Sequence, residues 1–140
     1  MAFTGNYSCN TLRSGLINGT LKFSTDTFRL ALYTNAATLD QTTTAYTSVG
    51  EASGGDYVAG GKVVVATVNT ALGTNSSTIY VNFSSPVWNG AITARGALIY
   101  DVTTGAAVCV LDFGNNVTST NTFTVTVPAN TSTAALIRLV

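Results

Sequence analysis

Side chains that commonly carry chemistry are scarce in this chain. Histidine is absent, which removes the usual general base and the commonest transition-metal ligand. Six carboxylates remain: Asp26, Asp40, Glu51, Asp56, Asp101 and Asp112. A glycoside hydrolase needs two carboxyl groups facing one bond, and only Asp101 and Asp112, which flank one apolar hairpin, are placed to approach each other. The plainer reading is that Asp101 ends a strand while Asp112 alternates outward between Leu111 and Phe113. Calcium could take loop carboxylates and carbonyls near Asp56, but the twelve-residue ligand pattern is missing. Gly54-Gly55 and Gly60-Gly61 lack the lysine and the following helix of a phosphate loop, and read as sharp turns of a loop over a sheet. No catalytic residue, metal or cofactor is expected, and the chain reads as non-enzymatic.

The aromatic residues are the other candidates. Trp88 and Asn89 follow Pro86 at a strand end, and Tyr33, Tyr46, Tyr57, Tyr80 and Tyr100 are widely spread. Tryptophan and tyrosine in loops of a neutral β-domain could stack on sugar. Alternatively Trp88 caps the core edge, its indole N–H meeting a loop carbonyl. The expected interaction surface comprises Tyr46, Glu51, Asp56, Tyr57, Trp88 and Asn89. Cys109 sits in the apolar run Val108–Leu111 and reads as a buried reduced thiol. A Cys9–Cys109 disulfide is the other reading.

The elements that must position these residues are strands. Thr27 to Tyr33 alternates, with Phe28, Leu30 and Leu32 on one face. Lys62 to Val68 is a β-branched run, expected to be covered on both sides. Thr78 to Phe83 turns Ile79, Val81 and Phe83 together. Arg95 to Asp101 and Ala107 to Phe113 form a hairpin through Val102-Thr103-Thr104-Gly105, with Gly105 supplying positive φ. Thr122 to Val127 faces Phe123, Val125 and Val127 inward, and Leu136 to Val140 closes a sheet. The spacing of Cys9, Leu12 and Leu16 predicts a short helix over residues 8–18, capped by Ser8 and ended by Gly19. Residues 35–61 hold no strong strand pattern and read as a long loop packed by its own residues, serving as an interaction surface. The expected fold is all-β and mainly antiparallel: one β-sandwich or jelly-roll-like domain over residues 1–140, with one short N-terminal helix. Its core is expected to be Phe28, Leu30, Leu32, Val81, Phe83, Leu98, Tyr100, Cys109, Leu111, Phe123 and Val125.

Composition narrows the function classes. The 140 residues are 46% hydrophobic but only 9% charged, with zero net charge, against about 25% charged in an average globular protein. Disorder is excluded, since it needs low hydrophobicity and high net charge. No apolar run reaches the roughly 18 residues of a membrane span, and the six scattered cations make no phosphate-binding surface. No signal peptide is expected, because Met1 to Gly15 has one cation, Arg13, and no continuous apolar core. Synthesis in a reducing cytoplasm follows from that reading. The polar share comes from 25 Thr, 11 Ser and 12 Asn. Such short side chains lose little entropy when buried, and a free monomer ordinarily has a more charged surface, so the composition favours a working state inside an assembly.

Several segments then follow one another in a distinctive order. They are Asp26-Thr27-Phe28-Arg29-Leu30-Ala31-Leu32-Tyr33-Thr34, Thr44-Ala45-Tyr46-Thr47, Gly55-Asp56-Tyr57-Val58-Ala59-Gly60-Gly61 and Val87-Trp88-Asn89. Ala94-Arg95-Gly96-Ala97-Leu98-Ile99-Tyr100-Asp101, Leu111-Asp112-Phe113-Gly114 and Phe123-Thr124-Val125 complete the series. Over nearly its whole length the chain resembles a family of small virion structural proteins of tailed bacteriophages. One departure is Asn89-Gly90-Ala91-Ile92, where an Asn-Ala-Thr type run is expected. The resemblance implies a β-rich, non-enzymatic structural protein with no catalytic residues to carry over. Several small phage proteins of this kind are head decoration, or cement, proteins. On that reading the partner is the major capsid protein, and the state is a homo-oligomer with a trimer favoured. The location is the capsid surface of the virion after synthesis in the bacterial host cytoplasm, without nucleic-acid or membrane partners. The alternatives are a tail, tail-tip or adaptor component, or a sugar-binding adhesin module with Trp88 or Tyr57 exposed in a concave site.

Overall fold

The segment Phe-Arg-Leu-Ala-Leu-Tyr at residues 28–33 carries a single charge, a composition suited to a strand with both faces covered. The computed structural model of the protein describes residues 3–70 and 77–139. Its elements are β1 (Tyr7–Ser8), α1 (Asn10–Asn18), β2 (Phe28–Tyr33), β3 (Lys62–Val64), β4 (Ala66–Asn69) and β5 (Ile79–Phe83). These are followed by β6 (Val87–Asn89), β7 (Thr93–Asp101), β8 (Ala107–Thr118), β9 (Thr122–Thr124) and β10 (Ile137–Leu139). All pairings among these strands are antiparallel. Five strands form the main sheet in the order β1-β8-β7-β2-β3, three form a second in the order β10-β5-β4, and β6 pairs with β9. The result is the expected all-β, sandwich-like fold.

The main sheet is buried twice. On one face Phe28, Leu30, Leu32, Ala97, Ile99 and Cys109 pack with Val81, Phe83, Trp88 and Phe123 of the smaller sheets and with Leu12 of α1. Phe23, Phe28 and Phe83 make an aromatic group there, with ring centroids 5.4–6.1 Å apart. On the other face Ala31, Tyr33, Leu98, Tyr100 and Val110 are covered by Phe3, Ala37 and Leu39. Register explains the split: Ala31 lies opposite Leu98, while Leu30 lies opposite Ile99 and Leu32 opposite Ala97. Leu98 and Tyr100 therefore belong to a second core rather than to the one around Leu30, and Leu111 is only half-buried. The cover of the second face is supplied largely by the strand-free stretch after β2.

Several local expectations are corrected. Ser8 pairs with Cys109 as part of β1, so Cys9 takes the N-cap position of α1 and no side chain caps it. Gly19 does end the helix, in the left-handed conformation at φ 72°, its turn closed on the carbonyls of Gly15 and Leu16. The run Lys62 to Val68 is not covered on both sides. It crosses at Val65 from the edge of the main sheet to the edge of the three-stranded sheet, leaving Val63 55% and Val65 65% exposed. Ile79 at the start of β5 is also exposed, while Val81 and Phe83 are buried. The hairpin turn forms as expected, with Gly105 at φ 82° and its N–H donating to the Asp101 carbonyl at 2.8 Å. Both cysteines are buried free thiols and join different cores, Cys9 the second and Cys109 the first. Val140 of the expected C-terminal strand lies outside the described residues.

Leu30 has no solvent exposure, and truncating such a side chain costs its burial plus a cavity. Leu30→Ala is expected to lower stability by about 2–5 kcal/mol. Leu111→Ala, at a half-buried site, is expected to cost less than half as much. Urea titration of the two variants checks the ranking.

Candidate interaction surface

The long stretch after β2 is held by one carboxylate. Glu51 forms an isolated bridge to Tyr33 at the end of β2, which brings its side chain over the second face of the main sheet. The Tyr46 hydroxyl donates to Glu51 Oε2 at 2.6 Å, and the Tyr57 hydroxyl donates to Oε1 at 2.7 Å. The Gly60 N–H donates to the same Oε1 at 2.7 Å. The Tyr57 oxygen in turn accepts the Leu32 N–H at 2.9 Å, tying the loop to β2. Tyr46 stacks on Tyr100 at 5.1 Å, and the Tyr100 hydroxyl donates to the Gly60 carbonyl at 2.7 Å. Charged acceptors make stronger hydrogen bonds than neutral ones, so this hub holds the middle and the end of the loop together. Hydrogen bonding to Glu51 pushes the Tyr46 hydroxyl up to about 12. Burial first, and then Glu51, raise Tyr57 further; burial also raises Tyr33, whose hydroxyl donates to the Thr47 carbonyl at 2.7 Å.

A second tie joins the loop to the β6 end. Asn89 donates its N–H to Asp56 Oδ1 at 2.8 Å and its side-chain amide to Oδ2 at 3.2 Å. The Asp56 N–H returns a bond to the Asn89 carbonyl at 2.8 Å. This close approach needs glycine on both sides. A Cβ on Gly55 would collide with the Asn89 carbonyl, and one on Gly90 would stand 2.5 Å from Gly55 Cα. The Asn89-Gly90 turn is thus shaped by its contact with Gly55-Asp56.

All six residues of the expected surface therefore meet in one region, and five of them hydrogen-bond within the group, Tyr46 and Tyr57 to Glu51 and Asn89 to Asp56. Asp56 and Asn89 are exposed, while Tyr46, Glu51 and Tyr57 are half-buried around the carboxylate. Trp88 has no exposed surface; it packs 5.5 Å from the Tyr57 ring and lies beneath the Lys62 ammonium. Its Nε1 meets no loop carbonyl and has no hydrogen-bond partner among the described residues, contrary to expectation. A buried indole cannot stack on sugar. Two contributors that sequence reasoning missed are the Gly60 N–H and the Tyr100 hydroxyl. The Gly60-Gly61 pair was the only local signal, and a Cβ on Gly61 would run into the Leu30 carbonyl.

Asp101 and Asp112 are not brought together. Asp112 sits beside Gly96, while Asp101 stands one residue past Tyr100, which pairs with Ala107. Five strand residues separate them, roughly 17 Å at about 3.4 Å per residue, well beyond the about 5–9.5 Å of a glycosidase pair. Asp112 forms an ion pair with Arg95 instead. Asp101 is fully buried, and its Oδ1 accepts the N–H groups of Thr103 at 2.8 Å and Thr104 at 3.3 Å. Its Oδ2 receives no donor among the described residues, and the Asp26 side chain lies within hydrogen-bonding reach of the Asp101 carboxyl. Two neighbouring carboxyl groups disfavour being ionised together. Burial first, then Asp26, raise Asp101, while the bond from Asp101 holds Asp26 below its ordinary value.

These features define an all-β sandwich-like domain whose third layer is a pinned loop. Comparison of the chain with protein-family models, with curated proteins and with solved structures finds no match.

Two measurements probe the ties. Glu51→Ala leaves the Gly60 N–H and two hydroxyls without their charged acceptor, and should cost about 3 kcal/mol in denaturant titration; a loss under about 1 kcal/mol would remove Glu51 as the hub. For Asp101 the raised value means that its contribution is present below the ordinary aspartate range, near 4, and is lost as pH rises through the folded value. Asp26 acts oppositely, losing its contribution only on acidification. Asp101→Asn keeps an amide donor toward Asp26 and cannot ionise. Its stability relative to the parent should therefore grow as pH rises from 4 to 7. A constant difference across that range would show that Asp101 is not protonated.

Proposed function

We propose that the protein is a non-enzymatic structural component of a tailed-phage virion, a head decoration protein that bridges major capsid subunits. The observation that supports this reading best is where the charges go. Glu51 is spent on the loop, Asp56 on Asn89, Asp101 on Asp26 and Asp112 on Arg95. What remains outside is mostly threonine, serine and asparagine, with Val49, Val58, Val63 and Val65 exposed among them. Such a surface can be packed closely against neighbours without desolvating ions, which is the costly part of burying a charged interface. The ordered resemblance to small virion structural proteins gives the partner its identity, and a homo-oligomer follows from the same source. Burial of Trp88 weighs against the sugar-binding alternative.

A shell around packaged DNA fails at the joints between subunits, and a bound protein adds contact area there. A standard interface of about 1,200–2,000 Å² is sufficient for stable attachment. Filled heads lacking the protein should rupture at a lower temperature than complete heads, and adding purified protein back should restore the difference. Equal rupture temperatures, or a reconstruction that places the chain on the tail axis, would remove the decoration role and leave a tail component.

A further inference from the structure

Two clefts run into one another along the open seam of the sandwich. The larger, about 500 Å³, lies between Tyr7 of β1, Leu12 and Leu16 of α1, and Ile137 and Leu139 of β10. The smaller, about 330 Å³, continues it past Phe113 and Val127, and both share Asn6, Leu111 and Leu136. The floor is apolar, and its rim includes Leu139, which is 57% exposed. Both walls are sheet edges: among the described residues β1 pairs only with β8, and β10 only with β5. An edge strand beside an apolar groove is the arrangement by which an extended segment joins a sheet, its backbone completing the ladder and alternate side chains filling the groove.

Charge says what kind of segment fits. Arg13 of α1 and Arg138 of β10 both line the larger cleft, and both are exposed. Arg13 reaches only the Asn10 side-chain carbonyl, and the single ion pair among the described residues is Arg95 with Asp112. The carboxylate that lines the smaller cleft, Asp112, is already paired with Arg95, so Arg13 and Arg138 have no carboxylate beside them in the larger cleft and call for an anionic partner. A second copy of this chain is poorly equipped to supply one. Its Asp40 is taken by Thr42, and the other five carboxylates are engaged as described above. The complement must come from a different protein.

We propose that this groove takes an extended segment of a different protein, added as a strand along the β10 edge, with alternate apolar side chains on the groove floor and one carboxylate between Arg13 and Arg138. The inference deepens the virion reading by stating the chemistry of the partner segment, and it rests on that reading only for the partner's identity. The test uses the purified full chain alone, so its failure removes the groove and leaves the virion reading to the measurements on particles. A displayed library of random ten-residue peptides is sorted against the protein, and affinities of recovered peptides are read by fluorescence anisotropy. Recovered sequences should alternate Val, Ile or Leu with polar residues and carry an Asp or Glu. The double variant R13E/R138E should weaken them by about tenfold or more, with its circular dichroism and thermal midpoint unchanged. Recovery of no peptide, of peptides lacking an acid, or of peptides indifferent to the double variant would overturn the proposal. So would a concentration-dependent dimer dissociated by L139E, which would assign the groove to a second copy.

Discussion

A sheet that is apolar on both faces must be covered on both, and here the second cover is not a sheet or a helix. It is the stretch between Tyr33 and Lys62, which has no strand ladder of its own. A loop can serve as a layer only if its backbone groups are satisfied and its path is fixed, since otherwise burying it would strand polar groups away from water. The Glu51 carboxylate meets that condition by accepting from Tyr46, Tyr57 and Gly60 at once. Because Tyr57 also accepts from Leu32, and Tyr100 bonds Gly60, the same hub reaches strands β2 and β7. The rest of the second core, with Ala37 and Leu39 seated on Ala31 and Leu98, depends on the loop being held there.

Holding a loop against a strand also requires backbones to approach closely. Gly61, at φ 77°, lies so near the Leu30 carbonyl that any side chain would clash, and Gly50, at φ 76°, packs against the Ala37 backbone in the same way. Both combine a left-handed conformation with missing space, so alanine would be penalised twice over. The polar hub and the glycine contacts are therefore parts of one device. The carboxylate draws the loop inward, and the glycines allow it to arrive.

Legibility in the sequence follows from how local each feature is. The β7–β8 hairpin and strand β2 were readable because alternation and a turn glycine are properties of adjacent residues. The second face of β2 was not, because Ala31 is small and Tyr33 polar-tipped, and what covers them is distant in sequence. The valines of Lys62 to Val68 have the composition of a covered strand, yet they lie on a crossing between two sheet edges, which no local pattern distinguishes. The six residues of the expected surface were found by type, as the aromatic and acidic members of a loop and its facing turn. Their type could not say which of them hydrogen-bond one another. Asp26 and Asp101 are separated by most of the chain, so their meeting left no pattern at all.

The charge scarcity then takes on a structural meaning. A chain with six carboxylates could place them all outside for solubility, but this one draws most of them into ties that hold the loop, two turns and one strand pair. Each tie engages a carboxylate, even where, as at Asp56, the residue stays exposed, while the exposed cations Arg13 and Arg138 have no ion-pair partner among the described residues. Zero net charge therefore does not mean a uniformly neutral exterior. The outside is largely uncharged, and two of its exposed cations, Arg13 and Arg138, stand at the seam where two sheet edges and an apolar floor lie open. Close packing over the broad neutral faces and charge-directed recognition at the seam are different kinds of contact. The role proposed above, packing against neighbours and recognising a different chain, would draw on both.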